Sequence, residues 1–425
     1  MKSDRSRELY ADALKYLPGG VSSPVRAFEP YPRYIRSGKG AYIKDVDGNE
    51  YIDLCLGFGP LILGHAREEV VAALKAELEA GTVFGAPIEK EIQMAKLVHR
   101  YYPSMEMMRF VSSGTEATMH AIRLARGHTG RKKIIKIEGG FHGAHDSVLV
   151  KAGSGAMTHS VPDSLGVPEE VTENTLIVPF NDLGAVKKIL NENKGEVAAM
   201  IMEPVLGNIG PVLPDKGYLQ GIREVTMEND VLLIFDEVIT GFRLAMGGAQ
   251  QYFRVAPDIT VLGKIAGGGL PFGAFGASRE IMSDISPSGK VYQAGTYSGN
   301  PMSLTAGMET IRLLGKEGHE GLFRSGEMMR IGLEKIVSDM HLGYQVSGEG
   351  PMFQMFLSDR PVRNHSDVMR CDARLFMKMF RSLLDKGVYL PPSQFETCFL
   401  STAHDGRTVN LALDRFAEAI GEVMK

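Results

Sequence analysis

Three short stretches carry residue types suited to binding a phosphate, pairing with a protonated heterocycle and attacking a carbonyl. The first is Ser112-Ser113-Gly114-Thr115-Glu116, which follows the apolar Phe110-Val111 and leads into a stripe of Ala117, Ala121, Leu124 and Ala125 at helical spacing. A hydroxyl- and glycine-containing turn at a helix start offers backbone N–H groups and the positive end of the helix dipole to a phosphate. The same residues also make an ordinary helix cap. The second stretch is Val231 to Glu237, in which Asp236 closes an apolar run. Open α/β sheets bind ligands at that end of a strand. A buried carboxylate is costly without a positive partner, so Asp236 asks for a cation or a protonated ring nitrogen, unless it caps the next turn. In the third, Lys264 ends the run Asp258 to Gly263 and precedes Gly267-Gly268-Gly269. Desolvation lowers a lysine's pKa and makes its amine nucleophilic, unless the side chain snorkels to water.

A phosphate cradle, an acid for a pyridinium and a nucleophilic lysine together meet the needs of pyridoxal phosphate. Phe141, beside His142-Gly143, offers a ring to stack on its face. His142, His145 and Asp146 have some metal-ligand character, but they lack the glutamate of HExxH and a third ligand, so no metal is expected. The chain contains neither GxxxxGK[ST] nor a strand-following GxGxxG, which excludes those nucleotide-binding loops.

The elements that must position these residues alternate between β and α character through the middle of the chain, the pattern of a parallel α/β sheet. Ile134–Ile137, Ala198–Met202, Val231–Phe235 and Ile259–Leu262 read as buried strands, and Asp182–Asn193 and Tyr218–Asn229 as helices. Near the N-terminus, Pro18, Pro24, Pro30 and Pro32 make an irregular arm. Ala41–Leu54 reads as two strands joined at Asp47-Gly48. After Pro301 a long helical region runs to about Ser338. The expected organisation is a large α/β domain over 60–305, with a smaller α+β domain formed by residues 1–59 and 306–425. Gly153–Pro168, rich in Gly, Ser and Pro, reads as a lid or binding loop.

Composition excludes several other classes. The 425 residues carry 47 Lys+Arg against 51 Asp+Glu, a net charge of −4, so neither nucleic acid nor an anionic membrane is an expected partner. Cys55, Cys371 and Cys398 are widely separated and form no disulfide framework. No apolar run approaches the ~18 residues of a membrane span, and the charged N-terminus lacks a signal-peptide core. A cytoplasmic protein acting on a small molecule is expected.

The runs SSGTEATMHAIRLAR, FHGAHD, DEVITGFR, LGKIAGGGLPFGAFG and GTYSGNP resemble the class III pyridoxal-phosphate aminotransferases of fold type I. GGVSSPVRAF (Gly19–Phe28), GPLILGHA (Gly59–Ala66), VKAGSGAMT (Val150–Thr158) and PPSQFE (Pro391–Glu396) are similar to the aminomutase branch of that class. The resemblance implies a mostly parallel central sheet and a pyridoxal or pyridoxamine 5'-phosphate cofactor. Lys264 would carry the Schiff base, Asp236 would pair with the pyridine nitrogen, and Ser113, Gly114 and Thr115 would hold the phosphate. Phe141 would stack on the ring, where the family often has Tyr, and Asn208 would lie near the ring hydroxyl. Thr296 would reach the phosphate of a neighbouring subunit, giving a homodimer with shared active sites. Arg26 with Ser23 would bind a substrate carboxylate, Glu396 the substrate amine, and Gly153–Pro168 would be the lid. Phe58, in the Gly57-Phe58 pair that replaces Ser-Trp of the family, would touch the pocket. The implied reaction is conversion of glutamate 1-semialdehyde to 5-aminolevulinate, for tetrapyrrole synthesis, by intramolecular amino transfer. The alternative is a two-substrate aminotransferase.

Overall fold

Seven strands form the central sheet, in the spatial order Met107–Val111, Gly273–Ala277, Ile259–Gly263, Leu232–Asp236, Val197–Met202, Lys133–Ile137 and Thr175–Val178. The computed structural model describes residues 1–152 and 160–424. Gly273–Ala277 is antiparallel to both neighbours, and the other pairings are parallel. All four strands read from the sequence lie in this sheet, each within a residue of its expected bounds.

Alternation along the strands divides their side chains between two apolar layers. Ile135, Met200, Leu233 and Phe235 pack on one face against Val186, Ile189, Ile222 and Val225 of the helices Leu183–Glu192 and Tyr218–Glu228. Ile134, Ala199, Ile201 and Ile234 pack on the other face against Ala121, Leu124 and Ala125 of the helix Gly114–Thr129. The glycine-rich strand Gly273–Ala277 has little β-propensity, and tertiary contact explains its composition. A Cβ on Gly273 would stand 2.2 Å from the Ser113 carbonyl oxygen, and one on Gly276 2.6 Å from that of Met107.

Tyr42–Asp45 and Glu50–Asp53 form the expected hairpin, with Gly48 at φ +88° in its turn. Ile35–Lys39 adds a third strand and Val388–Tyr389 a fourth, parallel one. Tyr51, Ile52 and Leu54 thereby share a core with Phe376, Phe380, Leu383, Phe416 and Ile420 from the C-terminal region. The helical region after Pro301 consists of two helices, Pro301–Glu317 and Glu320–Asp339. Asn300 caps the first, accepting from the Met302 and Ser303 amides, and Gly318 at φ +74° ends it. Val150–Ala152 pairs antiparallel with Ser160–Pro162. Residues 153–159 of the expected lid lie outside the described residues. Among the described residues, no helix is long and apolar enough to cross a membrane.

Candidate active site

The carboxyl ends of the parallel strands converge on one cleft of about 510 Å³. Five of them deliver residues there as the chain leaves the sheet. Ser113, Gly114 and Thr115 follow Met107–Val111, Phe141 and His142 follow Lys133–Ile137, and Glu203 follows Val197–Met202. Asp236 ends Leu232–Asp236, and Lys264 follows Ile259–Gly263.

At the phosphate end, Ser113 Oγ accepts from the Glu116 amide at 3.2 Å, while Glu116 Oε2 accepts from the Ser112 amide at 2.9 Å. Ser113 is therefore the helix cap as well as a wall of the cleft. The first amides of a helix have no intrahelical acceptor, and here they face the cleft with Thr115. Gly143, at φ +98°, lies so close that a Cβ there would meet Thr115 Cα and Oγ1 at 2.6 Å. The helix start and the Gly143 backbone thus lie together at one end of the cleft.

Asp236 is 4 % exposed. Its Oδ1 accepts from the Val238 amide at 3.1 Å, and its Oδ2 accepts from His142 Nδ1 at 2.8 Å. Asp236 is thus both buried and bonded to the turn that follows it. Burial lowers the His142 pKa against the opposing pull of Asp236. The neutral imidazole donates from Nδ1, and its buried Nε2 has no hydrogen-bond partner among the described residues. His145 is pushed down to about 4 by burial, then by His142.

Lys264 sits at φ +46°, a left-handed conformation that only tertiary packing maintains in a non-glycine residue. Desolvation first, then the Arg243 charge, lowers its amine to about 8, against the pull of Glu396, Glu203 and Asp236. Arg243 was not singled out in the sequence. It is wholly buried, donates from Nε to the Ile239 carbonyl at 2.8 Å and from Nη2 to the Gly59 carbonyl, and lies 4.3 Å over the Phe399 ring. Glu203 was also missed, although it follows an apolar strand just as Lys264 does. Burial and then the charge of Asp236 push its carboxyl up to about 8.

Phe141, 53 % exposed, and Asn208 line the same cleft. Gly57 and Pro60 line it too, whereas Phe58 is not among its lining residues. Glu396 is half-buried, and burial raises its carboxyl against the pull of Lys264, so the two groups interact. Arg26 and Ser23 stand apart from the lysine cleft. Arg26 closes the turn Pro24–Arg26, which Ser23 precedes, and lines a second cleft with Ser22, Arg33, Tyr34 and Tyr389. Thr296 is exposed, away from this chain's own Lys264 cleft.

Pyridoxal phosphate fits this set on the chemistry of its donors. The helix start and the Gly143 backbone would suit the phosphate, a histidine-oriented carboxylate the ring nitrogen, and a lysine of lowered pKa the aldehyde.

Residues 25–404 match the model of the family "Aminotransferase class-III". Among curated relatives, the glutamate-1-semialdehyde 2,1-aminomutase of Methanococcoides burtonii is 56% identical over 97% of this chain and 98% of its own. That of Archaeoglobus fulgidus is 55% identical over 99% of this chain and 100% of its own. Among solved structures, an omega-transaminase from Sphaerobacter thermophilus superposes with TM-score 0.94 at 33% identity, covering 99% of this chain and 98% of that one. A glutamate-1-semialdehyde-aminomutase from Pseudomonas aeruginosa PAO1 gives 0.89 at 25%, covering 99% and 94%, and a variant of it has been solved in complex with PMP.

Proposed function

The chain belongs to the class III aminotransferase family, and we propose that within it the protein isomerises glutamate 1-semialdehyde to 5-aminolevulinate by moving an amino group within one substrate. The observation that carries the reading is the convergence of Lys264, Asp236 and the Ser113–Thr115 turn on one cleft, in a chain more than half identical to named aminomutases over nearly its whole length. The cofactor is pyridoxal/pyridoxamine 5'-phosphate.

The bound cofactor supplies an electron-withdrawing ring and an exchangeable amino group. Asp236, oriented by His142, would keep a proton on the ring nitrogen. Lys264 Nζ, with its lowered pKa, would carry the proton between the nitrogen-bearing substrate carbon and the cofactor. The Gly114 and Thr115 amides would hold the phosphate, and Phe141 would stack on the ring. Glu396 pairs with the substrate amine, and Arg26 with Ser23 takes the substrate carboxylate through a bidentate guanidinium. The position of Arg26 in a second cleft asks for a path between the two clefts.

The proposal includes a homodimer in which Thr296 reaches the neighbour's phosphate. Exposed Phe84, Tyr292 and Tyr297 support it, as apolar surface suited to a partner. It also includes a reducing cytoplasm, supported by three free, buried thiols. The division into residues 60–305 and 1–59 with 306–425 is likewise a proposal. The shared core of the hairpin and the C-terminal helices supports it, while helix Pro301–Glu317 runs across the second boundary.

The test loads purified protein with pyridoxamine phosphate and supplies glutamate 1-semialdehyde with no other amino donor. Formation of 5-aminolevulinate well beyond one product per site supports the aminomutase. A single burst would assign a two-substrate aminotransferase instead.

A further inference from the structure

We propose that Glu203 is a positioning residue for the cofactor, its carboxylate clasping the Phe141 backbone and the Asn208 side chain so that both face the ring correctly. The inference rests on the cofactor assignment above. Glu203 is 2 % exposed and follows the wholly buried strand Val197–Met202. A carboxyl at such a place is costly unless its oxygens are satisfied. Three N–H groups do so: Phe141 N to Oε1, and Gly207 N and Asn208 Nδ2 to Oε2, each at 3.0 Å.

These donors come from two separate loops. Phe141 lies in the turn after Lys133–Ile137, outside any helix or strand, and with its ring half out in solvent. The Glu203 bond therefore tethers the backbone from which the stacking ring projects. Gly207 and Asn208 belong to the loop after Glu203's own strand. In this pairing the Asn208 amide presents its nitrogen to Glu203 Oε2 and turns its oxygen elsewhere. One side chain thus sets the ring platform and the flip of the amide beside it. Gly207 adds a steric reason for the tight loop, since a Cβ there would lie 2.5 Å from Ile239 Cδ1. Asp236, at the end of the adjoining strand, and Lys264, after the strand beyond it, are charged neighbours of this carboxyl.

The test measures pyridoxamine phosphate binding to cofactor-free protein, together with the induced circular dichroism of the bound cofactor, which reports ring orientation. Glu203→Gln keeps size and shape but turns a donor toward donors. It should weaken binding on the order of tenfold and reduce the induced signal, with the far-ultraviolet spectrum unchanged. In a double-mutant cycle, Asn208→Ala should add less than about twofold on top of Glu203→Gln, because the two share one clasp. Unaltered binding and induced signal, or fully additive losses, would overturn the inference. Should Glu203→Gln fail to fold, Asn208→Asp opposes two carboxyl groups and should weaken binding by a similar factor. An unchanged affinity would again overturn the clasp. The unmutated protein is the control, since its failure to bind pyridoxamine phosphate would defeat the cofactor assignment itself.

Discussion

Replacing Lys264 with methionine should make the cofactor-free protein more stable at neutral pH while abolishing its activity. The lysine pKa falls from 10.5 to about 8 in the folded chain, with desolvation as the leading cause and Arg243 second. At ~1.4 kcal/mol per pH unit, that difference amounts to about 3 kcal/mol. The folded state binds this proton more weakly than the unfolded state, so below pH 8 the full cost of the buried charge opposes folding. The cost shrinks as pH rises from 8 toward 10.5 and vanishes above, where both states hold a neutral amine. Methionine has comparable length and no charge, so it removes the cost at every pH. Urea unfolding of the two cofactor-free proteins at a series of pH values should show the variant ahead by up to about 3 kcal/mol at pH 7. The gap should close by pH 11. A gap that is independent of pH, or a less stable variant at pH 7, would refute the argument that Lys264 is held partly neutral by its surroundings.

Three other substitutions test other parts of the site. Lys264→Ala should remove the visible absorbance of the cofactor-loaded protein and lower kcat by about 10²–10⁴-fold, as loss of a positioned proton carrier does. Normal turnover would exclude the lysine from the chemistry. Arg26→Ala should raise KM with kcat nearly unchanged, because carboxylate binding is shared between ground and transition states. A steady-state measurement with unchanged KM would place the carboxylate elsewhere and leave the second cleft to another role. Gly143→Ala puts a methyl 2.6 Å from Thr115 in a left-handed turn. It should cost about 1–3 kcal/mol of stability and weaken cofactor binding, read by thermal melting and by titration with pyridoxal phosphate. Wild-type melting and affinity would show that the turn is not needed to shape the cradle.

Which parts of this site are legible in the sequence follows from what each residue needs. Asp236 and Lys264 stand out because a polar residue ending an apolar strand has only one kind of surroundings, and strand order in an α/β sheet sends those ends to one edge. Ser113–Thr115 is legible as a helix start but ambiguous as a site, and the structure shows why: the residues that cap the helix also wall the cleft. Glu203 obeys the same strand-end rule and was still passed over, since Pro204 makes it look like the opening of a loop. What identifies it is the pair of loops it joins, and no local pattern encodes that. Arg243 is less legible still. Besides the local Ile239 carbonyl, its buried guanidinium meets the Phe399 ring and the Gly59 carbonyl, both far away in sequence. The same distinction separates the hairpin at Asp47-Gly48, set by a local turn, from the glycine-rich strand Gly273–Ala277, set by the closeness of its neighbours' backbones. Residues whose surroundings are local announce themselves, whereas those that tune the lysine and fasten the loops around the ring do so through partners that only the fold brings near. Substitutions at Glu203 and Arg243 should therefore alter this enzyme more than their sequence context indicates.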